Sequence, residues 1–549
     1  MRRQTLFVAA WLSASCLPAC PSSPSSPAPS PADGGSAPNP APNPAPNPVT
    51  DPVTGDVTIS VVVLGAGTLP DTLSAGIPFS VGELAEPGFL QVFQGSTELA
   101  RRVRVLARWP DKSLRSVLVE FTAPAPVATP VSLRLRGVSP RVLPGDATMV
   151  RSSLVRASAP AQRWASTGAL GLPVQNAQTG SLAPAFFRRA AAVFQDVSNP
   201  PRGSDAEPHV RNYYDHVHAL YSHMMSVGIS ADLLARINDE VTTYREGEIQ
   251  HGGSRRGTYS ARPDTETTTP IDFNIVRRMY ALGLVEDYLV NGDARSFAVA
   301  QEIADAFVAD VARQTPSYPW TERVPAWTIL SLIPVYEVTG NASYLAAART
   351  VGSLSVSHQD AMAAKYPSQA GVSGLTGAFI QDRRGAWFDV NESTGLGAGS
   401  PFMTTLLVEA LYRLYRASGD AIYLQSATKA VRWLKEGCFV PASDRSTSFT
   451  ADPDPATDDE PSLHTASFRY VCRARDNRTA LPGLNPMFAF ALGLGWQRTG
   501  DESYRTMARE VMAAEAWGYT IKEYNQSLRG ASQGFFLLES PAGHVVPLQ

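Results

Sequence analysis

Two short stretches of the chain concentrate side chains that can move protons. Asn212-Tyr213-Tyr214-Asp215-His216-Val217-His218 continues through Tyr221 and His223, and four of the eight histidines fall between His209 and His223. Arg245 to Arg262 carries Glu246, Glu248, His251, Arg255, Arg256 and Tyr259 among glycines, and leads towards Asp272, Asn274 and Arg277. These types suit elimination next to a carboxylate. A base removes the α proton, an acid protonates the leaving oxygen, and a cation or amide neutralises the enolate-like charge. Tyr214, His251 and Tyr259 are the acid/base candidates, and Arg255, Arg256 and Asn274 the carboxylate binders. Hydrolysis of a glycosidic bond would instead need two carboxylates, one acting as general acid. Asp272 with Glu322, Asp389 or Glu392 would supply them. At least two of His216, His218 and His223 are expected to be structural. His216 and His218 would lie on opposite sides of a helix, a poor metal pair.

The elements that would position these groups show as a repeat. Tyr288 precedes Gly292-Asp293, Tyr336 precedes Gly340-Asn341, Tyr415 precedes Gly419-Asp420 and Trp496 precedes Gly500-Asp501, each aromatic four residues before its glycine. Helical patterns flank each copy, as in Met403 to Leu414 and Tyr423 to Leu434. Glycine ends one helix in the left-handed conformation and Asp or Asn caps the next. Four copies with one internal spacing predict repeated αα-hairpins, and Tyr213 to Tyr244 reads as an earlier, divergent one. Five or more hairpins resemble the six-hairpin (α/α) toroid of polysaccharide lyases and glycoside hydrolases.

In such a toroid the helix before each Gly-Asp turn is inner, and its N-terminal end faces the cleft. That gathers Asp272, Asn274 and Arg277, then Glu322 and Trp327, then Asp389, Asn391, Glu392 and Phe402, then Asn485, at one mouth. Asp272 joins the catalytic candidates there; Arg277, Glu322 and Trp327 join the substrate-binding ones.

Ahead of the hairpins, short β-rich runs at Val57–Leu64, Arg102–Trp109, Val117–Phe121 and Val131–Arg136 are separated by turn residues and predict a small β-domain. Gly76-Ile-Pro-Phe-Ser-Val-Gly-Glu-Leu84 with Ala107-Arg-Trp-Pro-Asp-Lys-Ser113 resembles the N-terminal RIFT barrel of exo-rhamnogalacturonan lyase-like proteins, a family that usually has glycine where this chain has Lys112. The resemblance implies an accessory barrel joined to a helical toroid and carries no catalytic residues by itself; cleavage of a uronate-containing polysaccharide by β-elimination is the expectation that the residue types above support. The expected fold is thus multidomain β plus α. A RIFT-like β-barrel spans 57–137, a connector 138–204 and an (α/α) toroid 205–549.

Met1-Arg-Arg followed by the apolar Thr5 to Leu17 reads as a secretory signal, and Leu17-Pro-Ala-Cys20 resembles a bacterial lipobox. Residues 1–20 are then a lipoprotein signal peptide, with Cys20 lipidated. Residues 21–56, rich in Pro, Ser, Ala and Asn, form an extended tether. The expectation is an exported protein held to the cell envelope, periplasmic or at the cell surface, by its lipid alone. Its partner would be an acidic polysaccharide. A non-catalytic glycan-binding lipoprotein is the third reading. The 549 residues carry 47 Lys+Arg against 50 Asp+Glu, a net charge of −3, which excludes a strongly basic nucleic-acid binder. Cys438 and Cys472 flank an irregular stretch in an oxidising setting, so a disulfide is expected, with two buried thiols as the alternative. No cofactor is expected. Asp452 to Glu460 is acidic enough for a structural calcium but lacks the glycine and terminal glutamate of a calcium loop.

Overall fold

The computed structural model describes residues 57–64, 71–123, 131–135, 156–175, 184–198, 211–260, 276, 278–314, 322–365, 377–381, 398–444, 448–449, 465–470, 472, 479–480, 482–513 and 521–543. Cys20, the tether, Asp272, Asn274, Arg277, Asp389, Asn391, Glu392 and the acidic stretch from Asp452 lie outside them. Among the described residues no helix is long and apolar enough to cross a membrane.

The helices alternate between two layers of a ring. The inner layer is α3 (His216–Val227), α5 (Leu282–Asn291), α7 (Arg323–Thr339), α9 (Pro401–Ser418), α11 (Ala489–Thr499) and α13 (Ile521–Glu539). Each packs against the next, and α13 packs back on α3, so the inner layer closes. The outer layer is α2 (Pro184–Ser198), α4 (Ala231–Thr242), α6 (Ala294–Gln314), α8 (Ala342–Lys365), α10 (Ala421–Trp433) and α12 (Ser503–Met512). The six-hairpin toroid expected from the repeat is therefore present. Its sixth pair joins the two ends of the helical region: Phe186 and Phe187 of α2 meet Phe535 of α13 at 5.0 and 5.8 Å. The stretch expected as a connector thus contributes an outer helix.

The four Gly-Asp turns repeat one set of contacts. Gly292, Gly340, Gly419 and Gly500 have φ between 67 and 73°. Each glycine N–H donates to the carbonyl of the aromatic residue four before it, at 2.7–2.9 Å. Asp293, Asn341, Asp420 and Asp501 each accept from the backbone N–H two residues on, at 2.9–3.2 Å. Tyr288 stacks on Phe297 at 4.6 Å, as a staple across the first turn. Because every inner helix runs towards this end, all six begin at the other.

Eight strands form the β unit: β1 (Val57–Leu64), β2 (Asp71–Pro78), β3 (Leu90–Gln94), β4 (Thr97–Leu99), β5 (Arg101–Arg108), β6 (Leu114–Ala123), β7 (Val131–Leu135) and β8 (Arg156–Ser158). They make two antiparallel sheets, ordered β4-β3-β7-β1-β8 and β2-β6-β5. The expected small β unit is there; its described strands pair as two sheets that meet where β2 packs on β8 and the Ala159 N–H donates to Gly76 O at 3.4 Å, and these pairings do not by themselves show a RIFT barrel. β8 extends the unit past residue 137 by pairing with β1. Lys112 sits in the tight turn between β5 and β6 with φ +73°, a conformation that favours glycine.

The three-stranded sheet seats on the Gly-Asp end of the ring. Ser116 Oγ donates to Leu289 O at 2.8 Å and Arg104 Nη2 to Gly292 O at 2.6 Å. Arg115 pairs with Glu337 at 3.0 Å. Leu73, Ala75, Ile77 and Phe79 are buried, and so are the intervening Ser74 and Gly76, because both faces of β2 are covered. The closest approach is at Gly76, where an added Cβ would lie 2.1 Å from the Val290 carbonyl oxygen. Gly76→Ala should therefore lose about 2–4 kcal/mol. Gly340→Ala has open space around the new methyl and meets only its φ of +67°, so it should lose about 1–2 kcal/mol. Denaturant titration of the two variants checks the order; equal losses would contradict this seating.

Candidate active site

The chain enters the first inner helix through a strained corner. Tyr214 and Asp215 have φ of 66 and 62°, a region where each non-glycine residue costs about 1–2 kcal/mol and persists only when its surroundings hold it. The holds are specific. The Tyr214 N–H donates to Tyr280 Oη at 3.0 Å. The Asp215 carboxylate caps α3 by accepting from the His218 N–H at 3.1 Å, and accepts from the Gly283 N–H at 3.2 Å. One carboxylate thus joins the starts of α3 and α5. Tyr280 is fixed in turn, its N–H donating to Tyr244 Oη at 2.7 Å. The corner leaves Tyr214 fully buried and Tyr213 9% exposed.

Cations from three inner-helix starts surround the Tyr213 ring. The Arg278 and Arg323 guanidiniums and the Lys522 ammonium each lie 5.7 Å from its centroid. Arg323 Nη1 donates to Tyr213 Oη in a short contact. Arg323 also lies 5.6 Å from the Phe402 ring, which stacks on Tyr470 at 5.2 Å. Beside it Glu322 accepts from the Ser400 N–H at 3.0 Å, locking the start of α7 to that of α9. Trp327 forms the floor. Tyr214 and Tyr280 meet it edge-on at 5.3 and 4.6 Å, and Arg529 lies 4.6 Å from its centroid. Below, Glu409 takes Arg413 Nε at 3.0 Å and Arg529 Nη2 at 3.4 Å. This is an aromatic, cationic cluster on a rigid polar base at the end where the inner helices begin, with Arg323 3% and Arg278 5% exposed.

The sequence candidates divide. Glu322 and Trp327 lie at this end of the ring, each 2% exposed, about as covered as Arg323 at 3%. Tyr214 is displaced as a base by its burial, which pushes its phenol well above the usual tyrosine range despite nearby Arg323. Tyr213, one residue earlier, takes the position expected of it. His251 does not overhang the mouth. Its Nδ1 lies 2.7 Å from Glu302 on outer helix α6, and the same carboxylate takes Arg256 at 3.1 Å. Gly257, with φ +81°, lies flat on the Glu302 carbonyl, where a Cβ would come within 1.9 Å. The hairpin that carries His251, Arg255 and Arg256 is thus docked on the outer layer. Tyr259 is 2% exposed beside Glu248.

The three helix histidines are structural. His216 Nδ1 meets Asn525 Oδ1 at 2.6 Å, His218 Nδ1 meets Glu286 at 2.8 Å, and His223 stacks on Phe194 at 4.7 Å. Burial holds His223 down to about 4, so it stays neutral. Asn485 is a buried clamp, donating to Ala466 O and Val511 O. Cys438 and Cys472 are buried free thiols next to each other, and Cys472 Sγ donates to Gly437 O at 3.3 Å. Sequence reasoning passed over Arg278 and Lys522, and placed Arg323 in the segment entering the second inner helix without giving it a role. Arg323 adjoins Glu322, so the rule that inner-helix starts face the mouth already reached its neighbourhood.

No protein-family model and no curated protein matches the chain. Among solved structures it is similar to a sugar epimerase from a ruminal bacterium, with a TM-score of 0.40 and 10% identity over 60% of this chain and 85% of that one. It is also similar to a family 76 glycoside hydrolase from a bovine Bacteroides thetaiotaomicron strain, at TM-score 0.37 and 11% identity over 89% and 98% of the two chains. A family 76 α-mannanase of Bacteroides thetaiotaomicron gives TM-score 0.27 and 12% identity over 60% and 69%. These likenesses are too distant to carry a residue or a reaction across.

Behind the mouth, Asn212 Nδ2 donates to Glu248 Oε1 at 2.6 Å. Burial pushes the Glu248 carboxyl up to about 8, against the opposing pull of Asn212 and Arg211. Its folded value lies above the ordinary glutamate value. The contribution to stability is therefore complete below about pH 4.3 and is lost as pH rises through about 8. Glu248→Gln should flatten that decline, melting above the native chain at pH 8 and close to it at pH 5. Calorimetry across this range checks it; parallel melting curves for the two proteins would contradict it.

Proposed function

We propose that the mouth is the active site of a carbohydrate-active enzyme that cleaves an acidic glycan. The observation that supports this reading is the Tyr213 ring with Arg278, Arg323 and Lys522 about it, at the end where all six inner helices begin. Aromatic faces suit sugar rings, and a fork of guanidinium donors suits a uronate carboxylate.

Hydrolysis is the first reading of the bond-breaking step. Every carboxylate that the sequence offers for it occupies a segment leading into an inner helix. Asp272 precedes α5, Glu322 immediately precedes α7, and Asp389 and Glu392 precede α9. Two carboxyl groups across a cleft, one donating the proton, are what the reaction needs. Elimination is the second reading, favoured by one contact: a tyrosine hydroxyl held by an arginine, as base and carboxylate binder must be held together. We also propose that Cys20 is lipidated and that the tether holds the ring off an envelope membrane, which would bring it to polymeric substrate.

A panel of acidic and neutral polysaccharides separates these readings. Hydrolysis yields reducing ends without new ultraviolet absorbance, whereas elimination yields a conjugated double bond that absorbs. Under hydrolysis, Asp272→Asn should lower kcat by 10²-fold or more and Tyr213→Phe by less than about tenfold; under elimination the order reverses. In both, Arg323→Lys should weaken kcat/KM on acidic chains by about 10²-fold and leave neutral chains unchanged. Binding without either product across the panel would overturn the enzymatic reading.

A further inference from the structure

A cavity of about 480 Å³ lies between the β unit and the Gly-Asp end of the ring, away from the end where the inner helices begin. Its wall includes Arg108, Lys112, Arg115 and Arg416, with Glu337 as the one carboxylate and Tyr336 as an aromatic face. Glu337 is already engaged, by Arg115 Nη1 at 3.0 Å. Arg108 Nη1 donates to Ala85 O at 2.9 Å and Lys112 O at 2.7 Å, and its Nη2 pairs with Glu86 at 3.3 Å.

Two features of this wall are costly to the fold. The first is Arg416, on the last turn of α9 and 6% exposed. Its Nη1 donates to Gly171 O at 3.2 Å, but Nε and Nη2 have no hydrogen-bond partner. Buried guanidinium donors without acceptors are costly, and nearby Arg413 and Arg115 add like charge. The second is Lys112, a lysine in a glycine-favouring conformation with φ +73°. Strain of this kind persists at ligand clamps, and here it puts a fourth cation on the wall.

We propose that this cavity is a binding site for a sugar-sized organic anion, whose carboxylate or phosphate oxygens neutralise the Arg108–Lys112–Arg115–Arg416 wall. Arg416 Nε and Nη2 are covered, so this side chain adds positive charge to the wall rather than a direct contact. The volume falls within the range of small-molecule pockets. Occupancy would cement the β unit to α7 and α9, because the wall draws on all three. The proposal does not depend on the reaction at the mouth.

The test uses the full-length chain at low salt, with glucuronate, glucose 6-phosphate and inorganic phosphate as probes and glucose as the neutral control. Calorimetry should show saturable binding of an anionic probe and a raised Tm, with no response to glucose. Glucuronate alone would identify a uronate source, and glucose 6-phosphate with phosphate a phosphate source. Lys112→Gly relieves the backbone strain, so it should melt at or above the native temperature while binding the anion at least tenfold more weakly. Arg416→Gln should abolish the response, and Tyr213→Phe should leave it intact. That last variant separates a failure here from a failure at the mouth. Absence of binding by every anion at millimolar concentration, or binding unchanged in both Lys112→Gly and Arg416→Gln, would overturn the proposal.

Discussion

Closure of the ring at one seam governs everything else in the molecule. The last inner helix must return to the first, and the seam is drawn together by Asn525 on α13. Its Nδ2 donates to the carbonyls of Arg211 and Tyr213 at 2.9 Å each, and its Oδ1 faces His216 Nδ1 at 2.6 Å. Because Asn525 Nδ2 is committed to two carbonyls, its Oδ1 is the acceptor and His216 Nδ1–H the donor; burial lowers the His216 value. His218 Nε2 meets Arg529 O at 3.2 Å and Ser226 meets Ser532 at 2.6 Å further along. Gly534 completes the fit on the other side of α13, where a Cβ would come within 2.3 Å of the Ala489 carbonyl carbon. Polar pairs specify this register where apolar contact alone would allow sliding.

The seam and the mouth share an atom. The Tyr213 carbonyl that Asn525 holds belongs to the residue whose ring gathers Arg278, Arg323 and Lys522. Ring closure therefore sets where the cations converge, and the left-handed pair Tyr214–Asp215 sets which tyrosine faces them. The strain of that pair is sustained by Tyr280, His218 and Gly283, all parts of the inner layer. The mouth is in this sense a product of the whole ring rather than of any one loop.

Much of the ring was legible from residue order. Gly292, Gly340, Gly419 and Gly500 each need a positive φ, and each is followed by a capping Asp or Asn, so local chemistry alone reveals four hairpins. The inner-helix rule pointed to the end of the ring where the inner helices begin, and Glu322, Trp327 and Phe402 lie there. The site itself was less legible. Tyr213 and Tyr214 are adjacent and identical in type, and only two backbone dihedrals decide which is buried. The His251 hairpin looked like a cleft loop because it is dense in His, Arg and Tyr. That density serves Glu302 on an outer helix, a long-range ion pair that no local pattern announces. The contribution of α2 to the outer layer was hidden for the same reason, since its partner α13 lies more than 300 residues away.

The most direct measurement is a crystal structure of the Tyr213→Phe chain soaked with an acidic oligosaccharide. The account places a sugar carboxylate on Arg323 and its neighbouring cations, with a sugar ring against the aromatic wall beside Phe402. Sugar density on the outer face near His251 and Glu302, with the mouth filled only by solvent, would contradict it.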